Sequence, residues 1–70
     1  MTELGLFLSK RSVNKAEISR KTGISKSRLT QLSNNSSTKL TAEELYKIAL
    51  SVNVNPCDLL QEVCKAIVLP

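Results

Sequence analysis

Residues 14–35 read NKAEISRKTGISKSRLTQLSNN, and this stretch decides the fold. Asn14 and Ser25 each stand just after an apolar residue, Val13 and Ile24, and four positions before another, Ile18 and Leu29. That is a capped helix start twice over: the polar side chain accepts an orphan amide hydrogen, and the flanking apolar pair sets the angle at which the chain comes in. Gly23 lies between the two helices, where a residue of positive φ is wanted. Two short helices joined by a tight turn follow. On the second, Lys26, Ser27, Arg28, Thr30 and Gln31 are polar, while Leu29 and Leu32 are apolar. A helix with one face packed on a scaffold and the other entering a groove of DNA needs that layout.

The same start signal recurs further on. Leu40–Thr41 pairs with Leu45, and Val54–Asn55 pairs with Leu59. Glu17 and Glu44 sit at the third helical position after Asn14 and Thr41, the spacing of a capping box. Pro56 follows Asn55 at the first helical position, where its missing N–H costs nothing. The expected helices are therefore 15–22, 26–33, 42–52 and 56–67. A first helix is expected near 3–11, capped by Thr2, with Leu4, Phe7 and Leu8 inward. Residues 33–39, SNNSSTK, read as a polar loop. No strand alternation appears. The fold class is all-α, a compact five-helix bundle in one domain over residues 1–70. Its expected core is Leu4, Phe7, Val13, Ile18, Ile24, Leu29, Leu32, Leu40, Leu45, Ile48, Ala49, Val52, Val54, Leu59 and Leu60. Tyr46, Leu50, Val63, Cys64, Ile67, Val68 and Leu69 are left over, and much of that set falls in 61–70, a candidate dimerisation segment.

Charge is divided unevenly. Lys10 to Lys39 holds eight basic residues against the single acid Glu17, a local charge of +7, whereas the rest carries −3. Positive charge concentrated on the segment with the capped helix pair points to a polyanion. With 41% apolar residues, no Trp, one Phe and one Tyr, the core must be aliphatic. Cys57 and Cys64 are seven residues apart, roughly 10 Å along a helix at 1.5 Å per residue, too far for an intrahelical disulfide. They are read as reduced, small apolar fillers of a cytoplasmic protein. There is no His, so two thiols cannot complete a four-ligand zinc site. No Cys–His pair, Gly-rich phosphate cradle or plausible carboxylate pair is present, so an enzyme, a cofactor or a small-molecule ligand is not expected. The N-terminus is too short and wrongly flanked for a signal peptide, and no run approaches the ~18 apolar residues of a membrane span.

With these features placed, the chain resembles the helix-turn-helix family of phage repressors and Cro proteins, the XRE-type regulators, from about Leu4 to Leu60. Ile18, Gly23, Ile24, Leu29 and Leu32 match the turn and core pattern. SKSRLTQLSNN, residues 25–35, matches the recognition helix and the Asn after it. LTAEELYKIALSVNVNPCDLL, residues 40–60, matches the closing helix-loop-helix. The chain departs from the pattern at Ser12, Lys15, Ser19, Thr22 and Asn35, which stand where Gly, Gln, Ala, Leu and Gly are common. Asn35 is expected to keep the turn because Asn tolerates positive φ. Ser19 and Thr22 are expected to cost stability unless their hydroxyls bond a carbonyl of the preceding turn.

The resemblance implies a transcriptional regulator, a repressor by preference, with the helix near 26–33 in the major groove of double-stranded DNA. Lys26, Ser27, Arg28, Thr30 and Gln31 are then the base-contacting candidates. Lys15, Asn34 and Lys39 match phosphate-contacting positions; Asn14 and Ser25, at helix N-termini, are further phosphate candidates. Lys10, Arg11, Arg20 and Lys21 would enlarge the positive field. Relatives bind as two-fold dimers, which makes a homodimer the expected state. The alternative is a helical module on the same fold that binds another protein in an antitoxin-like or adaptor role.

Overall fold

A computed structural model describes residues 2–11, 13–35 and 37–69. The chain forms α1 (Glu3–Lys10), α2 (Lys15–Thr22), α3 (Lys26–Asn34), α4 (Ala42–Ser51) and α5 (Pro56–Val63). Among the described residues there is no strand, and the all-α class stands. The departure at Ser12 lies outside the described residues.

All five helices open on the caps read from the sequence. Thr2 Oγ1 accepts from Gly5 N at 3.0 Å, and Asn14 Oδ1 from Ala16 N at 2.7 Å. Ser25 Oγ accepts from Arg28 N at 3.1 Å, Thr41 Oγ1 from Glu44 N at 3.2 Å, and Asn55 Oδ1 from Cys57 N at 2.8 Å. Such a cap stabilises a helix by about 1 kcal/mol. Of the two capping boxes expected, one forms: Thr41 N donates back to Glu44 Oε1 at 3.1 Å. Glu17 turns instead to Arg20, 2.7 Å away on the next turn.

The turns explain two of the departures. Gly23 adopts φ 79°, and its N–H closes on Ser19 O at 2.9 Å. Thr22 Oγ1 donates to Ile18 O at 2.6 Å and accepts from Ile24 N at 3.1 Å, so its hydroxyl is satisfied at the turn. Asn35 corrects an expectation. It sits at φ −110°, in extended backbone, and holds the loop through its side chain, whose Oδ1 accepts from Ser37 N at 2.9 Å and Ser37 Oγ at 2.6 Å. The positive φ of a non-glycine residue appears elsewhere, at Asn53 (φ 59°), between α4 and α5.

Helix α1 packs on α3 and α5, α2 on α3 and α4, and α4 on α5. Leu4, Leu8, Ile18, Leu29, Leu32, Leu45, Ile48, Ala49, Val54 and Leu59 form the buried centre. Phe7, Val13, Ile24, Leu40, Val52 and Val63 close around it, half-buried. Leu60 was expected inside and is instead 50% exposed. It follows the fully buried Leu59 by one position, about 100° round the helix, and the packing of α5 on α1 and α4 turns Leu59 inward and leaves Leu60 at the edge of the apolar side. Helix α5 also ends four residues early. Cys64 caps it, Ile67 N bonds Cys64 O at 2.9 Å in a turn, and Lys65 is drawn to Glu3 of α1 at 3.3 Å. Cys57 is exposed rather than a core filler, Cys64 is half-buried, and both thiols are free.

Candidate nucleic-acid interface

Helix α3 divides cleanly by face. Leu29, Leu32 and Ser33 are buried; Lys26, Ser27, Thr30, Gln31 and Asn34 are exposed. The exposed positions fall at i, i+1, i+4, i+5 and i+8, one continuous stripe on a 3.6-residue helix. Leu29 at 0% and Leu32 at 3% exposure anchor the opposite side. The turn at Gly23 and the cap at Ser25 fix where this helix begins. Four of the five candidate base readers therefore stand together on an outer surface.

The fifth, Arg28, is placed differently. Its side chain, a base-contacting candidate on the sequence, is folded onto the start of α4. Arg28 Nε donates to Glu44 Oε2 at 2.9 Å, and Nη2 donates to Glu44 Oε1 at 3.0 Å. Nη2 also donates to Lys39 O at 2.8 Å. Hydrogen bonds from Arg28 hold the Glu44 carboxyl down at about 2, aided by the Thr41 amide and hydroxyl and opposed by partial burial. The same pairing raises the Arg28 guanidinium above its ordinary value. Glu44 is thus an acid beside α3 that a count along residues 10–39 misses. Its capping role was visible in the sequence, but its Arg28 partner lies sixteen residues away.

The phosphate candidates fall in two places. Lys15 and Asn34 line one cleft of about 410 Å³ with Gly5, Leu8, Ser9, Val13 and Ser33, so the start of α2 and the end of α3 meet there. Asn14 stands beside it with Oδ1 committed to its cap. Ser25 and Lys39 are exposed at the other end of α3; Ser25 Oγ is committed to Arg28 N. Of the wider basic set, Arg20 is paired with Glu17, which raises its guanidinium and lowers the carboxyl. Arg11 lies over the Phe7 ring, 4.9 Å from its centroid. Lys10 and Lys21 are exposed.

Ser33 was not singled out in the sequence. It is 4% exposed, and among the described residues its Oγ has no hydrogen-bond partner. Its carbonyl accepts from Thr2 N at 2.8 Å, which ties the end of α3 to the start of α1. Among the described residues, no helix is long and apolar enough to cross a membrane.

A family profile described as a helix-turn-helix domain matches residues 4–64, all five helices save Glu3. Among curated proteins and among solved structures, nothing matches the chain.

Proposed function

The chain belongs to the helix-turn-helix domain family, a family of DNA-binding regulators, and on that premise we propose that it is a sequence-specific repressor of the phage repressor and Cro type. One observation carries the reading: Lys26, Ser27, Thr30 and Gln31 form an uninterrupted exposed stripe on a helix whose other side is locked into the core by Leu29 and Leu32. In this reading the stripe lies in the major groove of double-stranded DNA. Lys26 suits guanine O6 and N7, Gln31 suits adenine N6 and N7, and Ser27 and Thr30 add shorter contacts. Lys15, Asn34, Lys39 and the capped helix starts at Asn14 and Ser25 face phosphates. The protein works in the cytoplasm as a homodimer, by occupying DNA, without catalysis or a cofactor.

The protein-binding alternative calls for acids or apolar groups across the outer side of α3, and that stripe is basic and polar. A fluorescence anisotropy titration against duplex DNA at two salt concentrations tests the proposal. Log K is expected to fall with log salt by roughly 0.9 per phosphate neutralised. No binding at low salt, or a flat salt response, removes the regulator reading.

A further inference from the structure

We propose that Arg28 is a positioning residue for DNA recognition: its guanidinium clamps the first turn of α3 to the 39–44 segment and thereby sets Lys39 against the recognition stripe. This rests on the DNA-binding reading above.

Three hydrogen bonds leave the guanidinium, two to the Glu44 carboxylate and one to Lys39 O, at 2.8–3.0 Å. The carboxylate is itself held, because Glu44 Oε1 accepts from Thr41 N and from Thr41 Oγ1, both at 3.1 Å. A continuous polar chain therefore runs from the start of α3 through Arg28 and Glu44 to the cap of α4. It crosses a gap that helix packing leaves open, since α3 packs on α1 and α2 but not on α4. Besides Leu40, which packs against the core, few contacts among the described residues order the loop between α3 and α4. Asn35 gathers Ser37, and Thr38 N bonds Asn35 O at 3.1 Å, but both contacts lie at its beginning. At its end, the Arg28 bond to Lys39 O fixes the backbone from which the Lys39 side chain departs.

The arrangement also argues against Arg28 as a base reader. To reach a base edge the guanidinium would have to leave all three acceptors. It would strand the Glu44 carboxylate, whose side chain is only 18% exposed, beside a polyanion. Charge-assisted, two-pronged pairs of this kind are about twice as strong as neutral hydrogen bonds. The fork geometry requires Arg, because an ammonium group cannot span both carboxylate oxygens and the carbonyl at once.

The test uses the full chain as R28A, R28K and E44Q, together with the double variant R28A/E44Q. The probe is a duplex pool with a randomised centre, followed by anisotropy on the duplex that the wild type selects. E44Q preserves an oxygen for the Thr41 cap, and R28K keeps a charged stem should R28A fail to fold. R28A and E44Q are each expected to weaken binding roughly tenfold, the scale of one charge-assisted hydrogen bond. Base preference should stay the same at every position, R28K should fall between wild type and R28A, and the double variant should be no worse than the worse single. Amide exchange at residues 38–41 should quicken in R28A and E44Q. Tighter binding by E44Q would mean that Glu44 restrains an Arg that contacts DNA, and overturns the proposal. So does a loss of preference at one base position in R28A, or unchanged affinity in every variant. A wild type that binds no duplex overturns the regulator reading and this proposal with it; a binding wild type with the wrong variant pattern overturns this proposal alone.

Discussion

The hydroxyl of Ser33 is buried on the inner side of α3 with no partner among the described residues. Burying an unsatisfied hydroxyl costs about 1–3 kcal/mol on protein scales. Ala also suits a helix interior better than Ser, by a few tenths of a kcal/mol. Ser33→Ala is therefore expected to stabilise the fold by about 1 kcal/mol, which raises Tm by about 4–8 °C in a domain this size. A thermal melt followed by circular dichroism checks it; an unchanged or lower Tm would show that the hydroxyl is satisfied. On the outer side of α3 the expected effects divide by role. Gln31→Ala should cost about 1–3 kcal/mol on the selected duplex and relax preference at one base position. Lys39→Ala should weaken binding to all duplexes alike and lower the salt slope by about 1. Identical behaviour of the two across a randomised library would remove the division between base and phosphate contacts.

Among the helices, α4 has the most elaborate start. Glu44 closes the capping box with Thr41 and receives Arg28, and these hydrogen bonds lower its carboxyl from an ordinary 4.5 to about 2. A group whose folded value lies below its unfolded one adds stability that is fully present above the unfolded value. That stability fades as pH falls toward the folded value. The Tm advantage of the wild type over Glu44→Gln should accordingly hold from pH 7 to about pH 5, shrink below pH 4.5 and be nearly gone at about pH 2. A difference that stays flat over the whole range would mean that the pair does not form in solution. Glu17 forms no such box because Arg20 lies one turn away and takes its carboxylate. Both groups there are exposed, so that pair adds little to stability.

Across the whole molecule, the aliphatic core is closed by α5, and the chain beyond it is not covered. Ile67, Val68 and Leu69 are 72%, 82% and 93% exposed, and Leu60 adds an exposed apolar side chain on α5. Ile67 also borders a groove of about 660 Å³ lined by Leu4, Leu32, Leu40, Val63 and Cys64 among others. One recognition helix reads only a few base pairs. A two-fold dimer doubles the site and spaces its halves about one helical turn, roughly 34 Å, apart. The proposed dimer would close on this surface, each residue meeting its symmetry mate or lying near the axis. Sedimentation should find the wild type dimeric and Ile67→Asp monomeric. A wild type monomeric at high micromolar concentration that binds a palindromic site without cooperativity removes the dimer and leaves DNA binding standing.

Much of this arrangement was legible along the chain because its causes are local. A cap needs only the two or three residues after it, so Thr2, Asn14, Ser25, Thr41 and Asn55 announced all five helix starts. Gly23 announced the turn through the φ it tolerates. The spacing of Leu29 and Leu32 announced the inner side of α3, and with it the outer stripe of Lys26, Ser27, Thr30 and Gln31. What depended on distant parts of the chain was not legible. The charge on α3 is moderated by Glu44, which only the docking of α4 brings within reach of Arg28. Lys15 and Asn34 share a cleft because α1 and α2 both pack on α3, which brings the start of α2 and the end of α3 to one place. Leu60 faces out and Ser33 faces in because rotation of a helix about its axis is set by the partners it packs against. An apolar or polar residue at the edge of a stripe goes whichever way that packing turns it.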